Sequence, residues 1–194
     1  MRKKLFFTLV AVLGVVLPAL TQDMNKQLCV AAFCGDTPRV QRLIGQGADI
    51  EAKDKRGWTP LGWAVSQGYP DTVKLLLDNG ADIDKRVNGA SPLIWATLHE
   101  RADMVRILLR YHCNVNARDN FNNTALDYAL IGRNDQILEL LLEHGAHVTP
   151  HVIIGTPKDR LKKLFEIKLQ KRIKTRLSKE LHLATEAGTG YTSR

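Results

Sequence analysis

Gly47-Ala48-Asp49-Ile50 returns 33 positions later as Gly80-Ala81-Asp82-Ile83, and an internal period of this size restricts a chain of 194 residues to a stack of small repeated units. Other marks keep the same phase. Thr59-Pro60-Leu61 is followed by Ser91-Pro92-Leu93 and by Thr124-Ala125-Leu126, at offsets of 32 and 33. One residue fewer separates Ile83 from Ser91 than separates Ile50 from Thr59, which places the length change in a loop. The pairs Leu28/Ala31, Leu61/Ala64, Leu93/Ala96 and Leu126/Ala129 supply one leucine and one alanine per unit. Val40-Leu43-Ile44, Val73-Leu76-Leu77, Val105-Leu108-Leu109 and Leu138-Leu141-Leu142 then give a second apolar face, again at helical spacing.

Each unit therefore reads as a turn, a short helix, a tight connection, a second helix and a stop. Gly47, Gly80 and Gly145 follow the second apolar run, where a residue with positive φ satisfies the last helical carbonyls without a Cβ clash. His112 holds that place in the third unit and should adopt the same left-handed conformation, which marks this unit as the weakest. Gly57, Gly89 and Asn122 stand two residues before each Thr or Ser and fit a second positive-φ turn.

The period, the Gly-x-Thr-Pro-Leu opening at Gly57–Leu61 and the run Leu75–Asp82 together resemble the ankyrin-repeat family. The resemblance implies an all-α solenoid of stacked helix-turn-helix units with β-turn fingers, spanning residues 23–151 as four repeats near 23–54, 55–86, 87–119 and 120–151. The chain departs from the family in one respect. The histidine usual after Thr-Pro-Leu is replaced by Gly62, Ile94 and Asp127, with Cys29 in the first unit, so the hydrogen bonds of that histidine must be replaced or lost.

Outside the repeats the composition changes. Residues 24–155 carry 14 Lys/Arg and 15 Asp/Glu, whereas residues 156–194 carry 11 and 4, so the net charge of +8 belongs mainly to the tail. Residues 1–22 combine Arg2-Lys3-Lys4, an apolar run from Leu5 to Leu20 and a polar end at Thr21-Gln22 that Asp23 continues, the order of a secretory signal. That run falls short of the ~20 residues of a transmembrane helix. Export to the periplasm or medium is the expectation, with an uncleaved membrane anchor as the alternative.

Residues 152–185 read as a basic amphipathic helix and a degenerate cap, followed by a disordered tail at 186–194. Its apolar positions Leu161, Leu164, Phe165, Leu169, Ile173, Leu177 and Leu181 wind around the helix, so the first half should dock on the last repeat and the second half should face elsewhere. Lys168, Lys171, Arg172, Lys174, Arg176 and Lys179 form its basic surface, suited to an anionic membrane or an acidic partner. No aromatic residues interleave with these charges, which argues against single-stranded nucleic acid.

No phosphate-binding loop, catalytic triad or zinc spacing is present, and Cys29, Cys34 and Cys113 are too few and too far apart for a disulfide framework. No enzyme activity, metal or cofactor is expected. Trp63, Trp95 and Tyr128, with Val30 in the same file, should pack as a row between first helices. The resemblance implies a monomeric scaffold that binds a protein partner through the fingers and the inner ends of the first helices. On this chain the fingers offer Lys53, Lys55, Arg56 and Trp58, then Lys85, Val87, Asn88 and Ala90, then Arg118, Asn120, Phe121 and Asn123. The helices add Phe33, Cys34, Ser66, Gln67, Leu98, His99, Ile131 and Gly132, and Trp58 and Phe121 are the expected anchors.

Overall fold

A computed structural model describes residues 23–147 together with 162, 163, 165–170, 173 and 178. Among the described residues 23–147, eight helices form pairs: α1 (described over 23–34) with α2 (Thr37–Gly45), α3 (Pro60–Gln67) with α4 (Pro70–Asp78), α5 (Pro92–Leu98) with α6 (Ala102–Arg110), and α7 (Ala125–Ile131) with α8 (Asp135–Glu143). Helices of 7 to 9 residues, as α2 to α8 are, do not hold in isolation; all have packed faces, and all but α4 and α6 have a side-chain cap at the start. Thr59 Oγ1 accepts from Gly62 N at 3.1 Å, Asn134 Oδ1 from Ile137 N at 3.0 Å and Asp36 Oδ1 from Arg39 N at 3.0 Å. Pro60, Pro70 and Pro92 open α3, α4 and α5, where a missing N–H costs no hydrogen bond.

The first helices α3, α5 and α7 lie side by side, as do the second helices α2, α4, α6 and α8. Between the two rows runs a continuous apolar strip. The Leu/Ala pairs of the first helices and the Val/Leu pairs that begin Val40/Leu43 and Val73/Leu76 are all between 0 and 5% exposed. A second set of bonds fixes the register from unit to unit. Asp82 N donates to Glu51 Oε1 at 2.7 Å, Asn114 N to Asp84 Oδ1 at 3.0 Å and His147 N to Asn116 Oδ1 at 2.8 Å, one side-chain acceptor reaching each following turn.

His112 has φ of 60°, beside 88° at Gly47 and Gly80 and 90° at Gly145, so the third unit keeps the turn with a Cβ in place. A further positive-φ position between the two helices of each unit has no counterpart in the sequence reading. Gly35 and Gly68 occupy it first, then Glu100 and Arg133 with φ of 55°.

The places of the missing histidines are accounted for one by one. Cys29 Sγ lies 3.7 Å from Ala52 O and 3.9 Å from Trp58 O, a weak replacement of the lost bonds. A Cβ on Gly62 would stand 2.9 Å from Val87 Cγ2, so the glycine makes room for a buried valine. Ile94 is simply apolar core. Asp127 closes a capping box, its Oδ2 accepting from Thr124 N at 2.6 Å while Thr124 Oγ1 accepts from Asp127 N at 3.4 Å.

In the tail, residues 165–170 are helical. Ile167 packs against the repeat core and Lys163 Nζ lies 3.9 Å from Asp135 Oδ2 at the start of α8. This corrects the expected docking face: Phe165 and Leu169 are exposed, because a helix turned to dock Ile167 carries Phe165, two residues earlier, to its far side. Lys168 is half-buried, whereas Lys171, Arg172, Lys174, Arg176 and Lys179 lie outside the described residues. So do the segments read as a signal, 1–22, and as a disordered end, 186–194. Among the described residues no helix is long and apolar enough to cross a membrane.

Candidate functional site

The inner face, formed by the fingers and the first helices, is organised around aromatic rings. Trp63 and Trp95 occupy the same place on α3 and α5, and each sends its indole N–H to its own finger, to Asp54 Oδ2 and to Val87 O, both at 3.0 Å. Tyr128 on α7 does the same through its hydroxyl, which donates to Asp119 Oδ2 at 2.5 Å. The file of rings anticipated from the sequence is thus present, but it is not closed by direct contact between successive helices. Trp58 fills the gap, stacked on Trp63 with centroids 4.4 Å apart and tilted against Trp95 at 4.9 Å. Phe33 meets the edge of Trp63 at 4.9 Å, and His99 stacks on Trp95 at 5.9 Å.

Trp58 is therefore not a displayed finger residue: it is 8% exposed, because its ring folds inward between two indoles. Val87, Ala90 and Ser66, also expected at the surface, are buried as well. With its side-chain amide oriented to satisfy both neighbours, Asn88 accepts from Trp58 Nε1 at 3.0 Å and donates to Arg56 O at 3.1 Å, so it ties the second finger to the first. Asn120 Oδ1 accepts from Arg86 Nη2 at 3.1 Å and ties the third finger to the second. Asn123 Nδ2 reaches the Tyr128 hydroxyl at 3.4 Å, and His99 Nε2 lies 3.3 Å from Ser66 Oγ. These four expected contact residues hold the inner face together.

What this frame presents outward is narrower. Lys55 and Arg56 are exposed on the first finger, and Phe33 and Leu98 are partly exposed on α1 and α5. Phe121 is 81% exposed at the tip of the third finger, and Ile131, at the end of α7, is 73% exposed. The Phe121 finger is braced by its own hydrogen bonds. Asp119 Oδ1 accepts from Phe121 N at 2.8 Å and from Asn123 N at 2.9 Å, while Asn122 takes φ of 66°. Burial raises the Asp119 pKa, but the Tyr128 hydroxyl and the two amides outweigh it and hold the carboxyl below the usual range. Leu98 and Ile131 are equivalent positions on successive units, a pattern that the repeat register alone makes visible.

The two buried thiols are passive. Burial, reinforced by Asp54, pushes Cys29 up to about 11, and burial with Asp84 pushes Cys113 up to about 12, so neither supplies a thiolate near neutral pH. Cys34 is exposed.

A family profile described as Ankyrin repeats (3 copies) matches residues 28–119 and 85–151. Similar proteins include Protein phosphatase 1 regulatory subunit 27 of Homo sapiens, 46% identical over 54 residues that make up 28% of this chain and 35% of that protein. The 2-5A-dependent ribonuclease of Mus musculus is 48% identical over 68 residues, 34% of this chain and 9% of that protein. Palmitoyltransferase AKR1 of Saccharomyces cerevisiae is 38% identical over 58 residues, 30% of this chain and 8% of that protein. The matched stretches thus span 35% or less of these relatives.

Proposed function

The chain belongs to the ankyrin-repeat family, and from that premise we propose that it is a non-catalytic scaffold that holds a protein partner against its inner face. The observation that carries this reading is the outward display of Phe121 and Ile131 beside a frame in which Trp58 is enclosed between Trp63 and Trp95. Large exposed aromatic and aliphatic side chains on a rigid support lose little entropy on binding and are the usual anchors of an interface. The finger carboxylates Asp54 and Asp119 are engaged in holding backbone amides and aromatic donors, a structural duty that supports a binding role over acid–base chemistry. Partner capture by the wild type and by a variant carrying Phe121→Ala and Ile131→Asp tests the reading. Equal capture by both would contradict it.

Export is part of the proposal. Its support is the order of basic, apolar and polar segments in residues 1–22. The mature protein purified from the exporting host should weigh less than the full chain by about 20 residues on intact-mass measurement. Recovery of the full-length chain from membranes would argue for an anchor instead.

A second reading, attachment to an anionic membrane surface through the tail, is favoured by one feature. Phe165 and Leu169, four residues apart, are exposed on the helical stretch 165–170, whose other side docks through Ile167, and Ile173 is exposed as well. Changing Phe165 and Leu169 to Ser should reduce flotation with phosphatidylserine-containing vesicles by about tenfold while the repeats melt unchanged, since burial of two large side chains is lost. Unchanged flotation would remove this reading and leave the scaffold reading intact.

A further inference from the structure

The file of large side chains that fills the inner face has a gap at its first position. Trp63, Trp95 and Tyr128 stand on α3, α5 and α7, and the equivalent residue of α1 is Val30, too short to reach across. A cleft of about 800 Å³ remains between α1 and the first finger, with exposed Val30 and Phe33 on one wall, Trp63 behind and the finger opposite. The charge around it is lopsided in what it offers a ligand. Three carboxylates line it, and each is engaged by the fold. Asp49 Oδ1 accepts from Glu51 N at 2.9 Å, Glu51 receives Asp82 N at 2.7 Å and Lys85 Nζ at 3.8 Å, and Asp54 receives Arg56 N, Trp58 N and the Trp63 indole at 2.8 to 3.0 Å. Lys26, Lys53, Lys55 and Arg56 are exposed around the same cleft, and among the described residues none of them pairs with a carboxylate.

We propose that this cleft is a peptide subsite for a partner segment in which a large apolar side chain is flanked by carboxylates. The apolar side chain occupies the place where the next units carry an indole, against Val30, Phe33 and Trp63, and the flanking carboxylates meet the cations of the finger and of Lys26. The two requirements are independent, since an apolar cleft without cations would accept any greasy segment and cations without a cleft would accept any polyanion. The proposal rests on the reading of the inner face as a protein-binding surface and names the chemistry recognised at one end of it.

The test uses the full chain and a fluorescein-labelled peptide, Gly-Asp-Glu-Trp-Leu-Glu-Asp-Gly, followed by fluorescence anisotropy. Saturable binding is expected, weakened about tenfold when Trp-Leu becomes Ser-Ser and about tenfold when the acidic residues become Lys, with affinity falling as salt rises. Val30→Trp installs the side chain that the following units carry and should abolish binding while the melting temperature is kept. Lys53→Glu with Lys55→Glu and Arg56→Glu, all at exposed positions, should abolish it as well and carries the test if the tryptophan variant misfolds. Arg106→Ala, at an exposed position of α6 that does not line the cleft, should leave peptide affinity unchanged. No saturation up to about 1 mM, or equal binding of the Ser-Ser peptide, would overturn the proposal. So would a dimer in sedimentation that Val30→Trp disrupts, since the cleft would then hold a second copy of this chain. A protein partner still captured through Phe121 and Ile131, with no binding of this peptide, would remove the subsite and leave the scaffold reading standing.

Discussion

Replacing Trp58 by alanine should lower the stability of the repeats by about 3–5 kcal/mol, the range for truncating a buried aromatic side chain. The magnitude follows from what the ring touches. It lies between Trp63 and Trp95 at 4.4 and 4.9 Å, and its indole N–H is received by Asn88 of the next finger. Truncation therefore leaves a cavity between two units, removes two aromatic contacts worth about 0.5–1.5 kcal/mol each and orphans a hydrogen-bond partner. Because a domain of this size is stable by only about 5–15 kcal/mol in total, the loss should be plain in urea titration as a large drop in midpoint. Phe121→Ala is the paired control and should change stability by no more than about 0.5 kcal/mol, as an exposed side chain does. A cost below about 1 kcal/mol for Trp58→Ala would mean that the two indoles close over the gap and that Trp58 does not join the units.

The second large effect is on binding. Phe121→Ala combined with Ile131→Asp should weaken partner affinity by about 2 kcal/mol or more, roughly 30-fold in Kd, with an unchanged melting curve. Phe121 is held out by a finger whose Asp119 carboxylate fixes two of its backbone amides, so little ordering remains to be done when the partner arrives. Placing a carboxylate at position 131 buries an uncompensated charge in the proposed interface. Titration of the captured partner against wild type and variant measures this directly. Loss of fold in place of loss of affinity would make the two residues structural.

Which parts of this could be read from the chain follows from what repeats reveal and what they hide. Repetition exposes every position that has the same duty in each unit. The Leu/Ala and Val/Leu core strip, the terminal turn and even the positive φ of His112 were legible because their places are set by register with their neighbours. The turn between paired helices was not, because Glu100 and Arg133 carry no sign of a left-handed conformation. Trp58 was misplaced for a related reason: it stands once, where the later fingers have Ala90 and Asn123, and adjacency to Gly57 made it look like an exposed turn residue. Only three-dimensional packing shows the ring turning inward. Asn88 and Asn120 were read as contact residues because polar side chains on turns face solvent, and both are exposed, but each also bridges neighbouring fingers, which the sequence does not show. In the tail, an unbroken row of residues four apart drew attention to Phe165 and Leu169, while docking is done by Ile167 outside that row. Val30 was read as one more member of the packed row, but it is exposed, and the cleft lies beside it where the later units carry a ring.

The most direct measurement of the central claim is site-specific photocrosslinking on the full-length chain in its native compartment, comparing two exposed positions. A benzophenone amino acid at position 121 samples the inner face, and one at Arg106, exposed on α6, samples the second-helix row. An inner-face scaffold predicts one dominant crosslinked protein from position 121, lost when Ile131→Asp is added, and no such product from position 106. The same protein captured from position 106 and absent from position 121 would contradict it.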